Sequence, residues 1–227
     1  MPKVVTLLSE KKFLFLAALL ANRADLATAA EEGGADALVV SIGASEFGAN
    51  RFGNFEVEEE GIRAVTSTVN IPVGLYLGDN PHLDAEEWEK IVDANIDFLI
   101  MFAHQMPILV LSDERVAKLA AIGPGYVIEQ VRALSKDPNI DALVAALTPS
   151  QAVAQDMTAL DLGTLRLLVE LSEKPVLNLL QKIVESRFLQ FIVGTGCRGV
   201  ILNPLTLGSS VESVKMVLKD YRSRVFM

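Results

Sequence analysis

Short apolar runs alternate with amphipathic segments along nearly the whole chain, and turn residues separate them. An apolar run of about four to eight residues between turn signals is typical of a strand buried on both faces, as in a parallel sheet. The clearest unit lies at 174–210, where a predicted strand, helix and second strand follow one another. The pattern predicts a chain built from repeated β–α units.

The same pattern divides most of the chain into eight such units. The predicted strands are 13–19, 36–43, 72–78, 97–103, 117–122, 141–148, 175–180 and 199–203. The predicted helices are 24–32, 56–68, 85–94, a short one ending near Arg115, 126–135, 159–172, 185–193 and 211–224. Residues 1–12 are predicted to form a lead-in helix or cap. The stretch 104–139 also fits one long connection.

Alternating strands and helices favour a parallel sheet with right-handed crossovers. Eight units in a chain of 227 residues suggest a closed barrel. An open, doubly wound sheet usually carries a glycine-rich turn after its first strand, whereas here the segment LANRAD follows and contains no glycine. We therefore predict a single (β/α)8 TIM-barrel domain that spans residues 1–227, with 1–12 as its lead-in.

A weak internal repeat supports this prediction. GADALVV, NIDFLIM, NIDALVA and GCRGVIL occupy equivalent places before the even-numbered strands. Two odd-numbered strands instead begin with Pro-Val, at Pro72 and Pro175. Two alternating kinds of unit would suit a barrel interior, whose layers are filled by alternate strands. The alternative is that a helix stop, an Asp and an apolar run recur by chance.

The segments AEEGGADALVV, IPVGLYL and GCRGVIL, in this order and spacing, resemble the phosphate-binding (β/α)8 barrels. The resemblance implies a phosphate site in the turns after strands seven and eight. Members of that superfamily usually have a Gly-Gly turn after strand seven, where this chain has Gln181 and Lys182. After strand eight the chain runs from Asn203 to the glycine-led turn Gly208-Ser209-Ser210, which keeps a phosphate site plausible.

The composition of the chain argues against some classes of binding partner. A net charge of −9, without a Lys/Arg cluster, argues against nucleic-acid binding. One cysteine permits no intrachain disulfide and suits a reducing compartment. The apolar run 13–21 is too short to span a bilayer and lacks a signal-peptide cleavage pattern. We expect a cytoplasmic, homo-oligomeric protein that binds a small anionic metabolite and contacts neither nucleic acid nor membrane.

Few polar residues lie at the predicted carboxyl ends of the strands, where barrel active sites gather. The candidate catalytic residues are Lys182, His104, Asp79 and Glu46. The candidate anion-binding residues are Gly208, Ser209, Ser210, Gln181, Asn203 and Arg51. Free N–H groups at the start of a helix bind anions readily, which is the reason for including the turn 208–210. Ser at such a position is also a common helix cap without any ligand.

Each candidate has a second interpretation. Lys182 in an apolar barrel mouth would act as a base, form a Schiff base or hold an anion, or it is a solvated lysine at a strand end. His104 would shuttle protons, or it is hydrogen-bonded beneath a connection. Glu46 and Asp79 would act as an acid/base pair with Lys182, or bind a divalent metal with His104. Asp79, followed by Asn80 and Pro81, equally suits a helix N-cap or an Asx turn without any ligand. No local metal motif supports that metal site, and no other cofactor is expected.

The leading hypothesis is a barrel enzyme that acts on a small anionic metabolite, with phosphorylated compounds included, by isomerase or lyase/aldolase chemistry. The loop 43–55, with Arg51 and three phenylalanines, would cover the mouth as a lid, or it is an ordinary surface excursion. The alternative hypothesis is a barrel that binds a ligand or partner without catalysis, because no complete catalytic motif is present and the fold alone does not decide.

Overall fold

The predicted apolar runs form one closed parallel barrel in the computed structural model, which describes residues 1–43, 52–78 and 83–225. The strands are β1 (Leu14–Ala18), β2 (Ala37–Ile42), β3 (Val73–Leu77), β4 (Phe98–Phe102), β5 (Ala117–Ile122), β6 (Ala142–Ala145), β7 (Val176–Leu180) and β8 (Gly199–Leu202). Each strand pairs in parallel with the next, and β8 closes the ring on β1. The predicted (β/α)8 TIM barrel is confirmed.

Helices connect the strands on the outside. In the described ranges they are α1 (Lys3–Glu10), α2 (Ala24–Gly33), α3 (Phe55–Thr68), α4 (Ala85–Asp93), α5 (Ile108–Leu111), α6 (Ile128–Lys136), α7 (Ala159–Leu171), α8 (Leu189–Val193), α9 (Pro204–Leu207) and α10 (Val211–Ser223). None of these described helices is both long and apolar enough to cross a membrane.

Two helical segments differ from the prediction. The helix expected at 185–193 is a 3₁₀ turn, Ser186–Phe188, followed by the five-residue α8. The short helix α9 was not predicted, because its sequence NPLTLG looked like a turn. Asn203 caps α9, since its side chain accepts a hydrogen bond from the Thr206 N–H, and Pro204 occupies the first helical position. These two differences both lie beside the candidate anion site.

Alternation along the strands divides the core into two layers. On β1, Leu14 and Leu16 belong to the cluster that fills the barrel, whereas Phe15 and Ala17 pack with the helices. Gly74 leaves room inside the barrel for the ring of Phe98, because a Cβ at Gly74 would lie 2.1 Å from a ring carbon. The interior is therefore a packed core, and ligands have access only at its ends.

Helix α1 closes the amino end of the barrel. Its buried Val4 and Leu8 join the interior cluster. The backbone N–H groups of Lys3 and Val4 donate to the carboxylate of Asp97 at 2.6 and 2.8 Å, which fixes the start of the helix. The carboxyl ends of the strands therefore carry the candidate site.

The internal repeat has a structural counterpart. The third residue of each repeat donates its backbone N–H to a carbonyl of the preceding odd-numbered strand; these residues are Asp36, Asp97, Asp141 and Arg198. The first residue has a positive φ in three of the four repeats, at Gly34 (96°), Asn95 (62°) and Gly196 (87°). Gly and Asn tolerate that conformation best, which explains why they occupy this position.

Candidate functional site

Three of the candidate residues, Glu46, Arg51 and Asp79, lie outside the described residues. The other candidates sit after β4, β7 and β8, at the carboxyl end of the barrel. They fall into three separate groups: Lys182 with Gln181 and Asn203, the turn 208–210, and His104. Their contacts show what each group can bind.

Lys182 is buried and ion-paired. Its Nζ donates to Oδ2 of Asp161 at 2.8 Å, and the two side chains are 9% and 28% exposed. Asp161 lies in the first turn of α7, where it also accepts hydrogen bonds from the N–H and the hydroxyl of Thr158. Lys182 therefore places a positive charge at this end of the barrel, together with its counter-ion.

The pKa of Asp161 is lower than the usual value for an aspartate. Burial alone would raise this pKa, but the hydrogen bonds from Lys182 and Thr158, together with the Lys182 charge, outweigh it. Sequence reasoning missed Asp161 as a partner of Lys182. The available signal was the segment Thr158-Ala-Leu-Asp161, which has the spacing of a helix capping box. A capping acid at that place points its carboxylate at the carboxyl end of the barrel.

Neighbouring residues after β7 point in opposite directions. Leu177 and Leu179 belong to the barrel interior, and Leu180 belongs to the outer layer. Continuing that alternation places Gln181 with the interior set and Lys182 with the outer set, and the contacts agree. The Gln181 side chain accepts a hydrogen bond from the Thr148 N–H at 3.1 Å, at the end of β6, whereas Lys182 reaches α7.

A pocket of about 210 Å³ separates the segment after β7 from helix α9. Its polar lining comprises Gln181, Lys182, Asn203, Thr206, Tyr221 and the carboxylate-bearing Glu185. The Oδ1 atom of Asn203 accepts from both the N–H and the hydroxyl of Thr206, at 3.0 and 3.2 Å. Three candidate residues that are separated in sequence are therefore brought to one small cavity.

The turn 208–210 forms the start of α10. The Ser210 hydroxyl accepts from the Ser213 N–H at 3.1 Å, and the Ser213 hydroxyl accepts from the Ser210 N–H at the same distance. Gly208 has φ 78° and ψ −171°, a conformation that other residues avoid. The turn thus has a structural role of its own, and it does not line the pocket between the segment after β7 and α9.

His104 pairs with a tyrosine. Its Nδ1 lies 2.6 Å from the Tyr126 hydroxyl, which also accepts from the His104 backbone N–H at 3.0 Å. Both side chains line an open groove of about 640 Å³ between the loops after β4 and β5 and helix α6. Burial raises the pKa of Tyr126 despite the hydrogen bond from His104. Sequence reasoning missed Tyr126, because 22 residues separate it from His104.

Ser41, near the end of β2, belongs to a buried polar network. Asn22 accepts from the Ser41 N–H at 3.1 Å and donates to the Ser41 carbonyl at 2.8 Å. Asn22 also donates to Glu58 at 2.8 Å, and Glu58 accepts from the Gly53 N–H at 2.9 Å. The network ties the ends of β1 and β2 to α3. Its members Asn22 and Glu58 were not among the candidates from sequence.

In the parts of the chain that the structure describes, no three His, Cys, Asp or Glu side chains are grouped closely enough to hold a metal ion. Two of the three proposed metal ligands, Glu46 and Asp79, lie outside those parts. Cys197 is buried in the turn before β8, and burial raises the pKa of its thiol.

No protein-family profile matches the chain. No curated protein matches it either.

Solved structures share its architecture. Tryptophan synthase from M. tuberculosis, in its aminoacrylate-bound form, matches with a TM-score of 0.70 and 14% identity, over 99% of this chain and 100% of that chain. An HpcH/HpaI aldolase from Desulfitobacterium hafniense matches with a TM-score of 0.66 and 11% identity, over 98% and 96%. Phosphoribosyl anthranilate isomerase from Thermus thermophilus matches with a TM-score of 0.66 and 15% identity, over 94% and 98%.

These matches cover nearly the whole of both chains. At this level of identity they show the fold alone. The closed (β/α)8 barrel that the sequence motifs indicated is confirmed, and the phosphate site that the resemblance implies stays a prediction.

Proposed function

We propose that the chain is a barrel enzyme that acts on a small anionic metabolite, with phosphorylated compounds as the first candidates. The reaction class we propose is isomerisation or carbon–carbon lyase (aldolase-type) chemistry. The observation that carries the proposal is the pocket between the segment after β7 and α9, which joins Gln181, Lys182 and Asn203. Phosphate sites in this fold frequently lie after strands seven and eight and beside a short extra helix.

The size of the pocket supports an anionic end group. Cavities for whole drug-sized ligands are about 300–1,000 Å³. A volume of about 210 Å³ suits one phosphate or carboxylate group, with the rest of the ligand extending over the barrel mouth. Lys182 supplies a positive charge, and Gln181 and Asn203 supply amide groups. A bound anion would contact the Lys182 ammonium group while that group keeps its hydrogen bond to Asp161.

The ion pair with Asp161 bears on the three roles considered for Lys182, which are base, Schiff base and anion binding. The lysine Nζ already donates to Oδ2 of Asp161 at 2.8 Å, so we assign Lys182 to holding an anion by charge rather than to proton abstraction or Schiff-base formation. In the proposed mechanism, His104, Asp79 and Glu46 are the residues that transfer protons.

In the turn at 208–210, the N–H groups of Gly208 and Ser210 already donate to the Pro204 carbonyl and the Ser213 hydroxyl. The Ser210 hydroxyl accepts from the Ser213 N–H and keeps its own O–H to donate to an anion.

A thermal-shift titration tests the anion site. Inorganic phosphate and sugar phosphates are expected to raise the melting temperature of the wild type by mass action. Lys182→Met is expected to reduce that shift strongly. Lys136→Met is the matched control, because it removes the same charge from an exposed position on α6. An unchanged phosphate shift in Lys182→Met would exclude the site.

The alternative is a barrel that binds a ligand or partner without catalysis. The observation in its favour is that the candidate groups are already engaged: Lys182 with Asp161, Gln181 with Thr148, and His104 with Tyr126. A His104→Gln variant separates the two functions once a ligand is found. Loss of turnover with retained ligand binding supports the enzyme, and a wild type that binds the ligand but never converts it supports the alternative.

We also propose that the protein is a homo-oligomer. Ile183, Phe188 and Phe191 are exposed and line an apolar groove of about 410 Å³ beside the anion pocket. Arg187 and Glu185, of opposite charge, lie in the same segment, which suits a self-complementary contact with a second copy. Light scattering measures the molar mass in solution. The Phe191→Glu variant is expected to have a lower mass than the wild type, because a charge in the apolar groove would disrupt the contact. A monomeric wild type would rule it out.

A further inference from the structure

Near the mouth, the buried hydroxyl of Ser41 has no hydrogen-bond partner in the part of the chain that the structure describes. Ser41 is 1% exposed. Buried polar groups are nearly always hydrogen-bonded, because an unpaired one loses its bonds to water and gains nothing in return. An unpaired buried hydroxyl at a functional end of a fold therefore calls for an explanation.

The Ser41 side chain points into the barrel. On β2, Ala37 and Val39 belong to the interior cluster, whereas Leu38 and Val40 pack with the helices. Since side chains alternate along a strand, Ser41 lies on the interior face. It is the next-to-last residue of β2, at the carboxyl end, and it is the register partner of Tyr76 on β3.

Hydrogen bonds hold the backbone of Ser41 in place, but its side-chain hydroxyl takes part in none of them. Asn22 binds both the N–H and the carbonyl of Ser41, and Glu58 and Gly53 extend the network to α3. Both oxygens of Glu58 are engaged, one by Asn22 and the other by the Gly53 N–H. The hydroxyl is thus a neutral group in a fixed position, which is the condition for a preorganised binding group.

We propose that the Ser41 hydroxyl hydrogen-bonds an uncharged oxygen, a hydroxyl or carbonyl, on the carbon skeleton of the ligand. This inference rests on the proposed function and gives its substrate class. The same interior cluster includes Tyr76, and Phe52 and Phe102 pack against it. These aromatic rings would contact the carbon atoms of such a ligand. The charged end occupies the pocket of Lys182, and the neutral end reaches Ser41.

The spacing of the strands sets the length of that ligand. The anion pocket lies after β7 and β8, and β7, β8, β1 and β2 are successive neighbours in the ring. Two to three strand spacings, about 10–14 Å along the wall, therefore separate the pocket from Ser41. A metabolite with an anion at one end and hydroxyl or carbonyl oxygens along a short carbon chain spans that distance. Sugar phosphates have this chemistry.

The test compares Ser41→Ala with Ser135→Ala. Ser135 is also fully buried, but its hydroxyl donates to the Arg132 carbonyl at 2.9 Å, away from the mouth. The probes are inorganic phosphate, glyceraldehyde 3-phosphate, ribose 5-phosphate and fructose 6-phosphate, measured by calorimetry and thermal shift. Phosphate alone reports on the anion pocket, and the sugar phosphates report on both ends.

Removing an unpaired hydroxyl is expected to stabilise the protein. Ser41→Ala should raise the melting temperature by about 2–4 °C, the shift that one lost unfavourable group gives in a domain of this size. The same change should weaken the tightest sugar phosphate about two- to tenfold, the value of one hydrogen bond, and leave inorganic phosphate unchanged. Ser135→Ala should lower the melting temperature and leave both affinities unchanged.

Two outcomes contradict the inference in distinguishable ways. Sugar phosphates that bind Ser41→Ala as tightly as the wild type, with phosphate still binding both, overturn the role of Ser41 and leave the anion site standing. A wild type that binds neither phosphate nor any sugar phosphate overturns the proposed function, and the inference with it.

Discussion

At the barrel mouth, the polar groups that follow β7 and β8 are hydrogen-bonded, whereas the hydroxyl of Ser41 near the end of β2 is not. Within β7, below the mouth, the Nδ2 of Asn178 also has no partner among the described residues. After β7 and β8, Lys182 pairs with Asp161, Gln181 accepts a hydrogen bond from Thr148, and Ser210 caps α10. On β2, the hydroxyl of Ser41 has no hydrogen-bond partner among the described residues, although its backbone is bound on both sides.

The difference shows that a hydrogen-bonded group and an unpaired group contribute differently to protein stability and to ligand binding. A paired group stabilises the folded state, and a ligand must compete with or share its partner. An unpaired buried group costs stability, and a ligand that supplies the missing partner recovers it. Substitutions of the paired groups after β7 and β8 should therefore destabilise the protein, whereas Ser41→Ala should stabilise it. The following predictions test the first half of this contrast.

The largest loss is expected from Gly208→Ala. Gly208 has φ 78° and ψ −171°, and a Cβ there would lie 2.6 Å from the Ser213 hydroxyl oxygen. Strain and contact together should cost about 3 kcal/mol in the free energy of unfolding. Urea denaturation measures it. Gly163→Ala in α7 is the control, because nothing lies within 4 Å of its Cβ and a helical alanine should gain about 0.5–1 kcal/mol.

If Gly208→Ala unfolds no more easily than the wild type, the turn at 208–210 has enough freedom to adopt another conformation. The contrast between a rigid turn before α10 and the unpaired Ser41 hydroxyl on β2 would then be lost at this position.

Asp161→Asn should have the next largest effect. The asparagine keeps an acceptor for Thr158 but leaves the buried Lys182 ammonium without its counter-ion. Breaking a fully buried pair costs about 3–5 kcal/mol, and the partial exposure of Asp161 reduces the expected loss to about 2 kcal/mol. A double-mutant cycle with Lys182→Met isolates the pair, and a coupling energy near zero would show that the contact contributes nothing to stability.

The sequence predicted the barrel well because the information is local. Strand β5 was predicted with its observed bounds, 117–122, from an apolar run between Val116 and Gly123. The positive φ at Gly34 matches the predicted stop of α2. Helix α9 was missed because its four residues are too few for a helical period, and it is stabilised by the cap of Asn203.

The site was predicted less completely because its partners are distant in sequence. Lys182 and Asp161 are 21 residues apart, and His104 and Tyr126 are 22 apart. The period of two along β7 separates Gln181 from Lys182, but it does not reveal which helix faces the lysine. An unpaired hydroxyl such as that of Ser41 is a property of packing, and a single sequence carries no signal for it.

Acidification below about pH 4 should weaken the Asp161–Lys182 contact. Because the folded pKa of Asp161 is depressed, its stabilisation is present above the unfolded pKa and is lost as the pH falls through the folded pKa. The unfolded pKa of an aspartate is about 3.9. The stability difference between wild type and Asp161→Asn should therefore be constant near neutral pH and shrink below about pH 4. A difference that persists unchanged through acid would assign the effect to something other than the carboxylate charge.

The smallest of these effects is expected at the start of α10. Ser210→Ala removes the hydroxyl that accepts from the Ser213 N–H, which should cost about 1 kcal/mol, the usual value of an N-cap. Ser209→Ala changes an exposed neighbour that does not cap the helix, so it should stay within about 0.5 kcal/mol of the wild type. Paired urea denaturation curves separate the two variants. Equal stability in both would mean that the Ser210 hydroxyl is as dispensable for folding as the Ser41 hydroxyl, and a ligand would then be the better explanation for both serines.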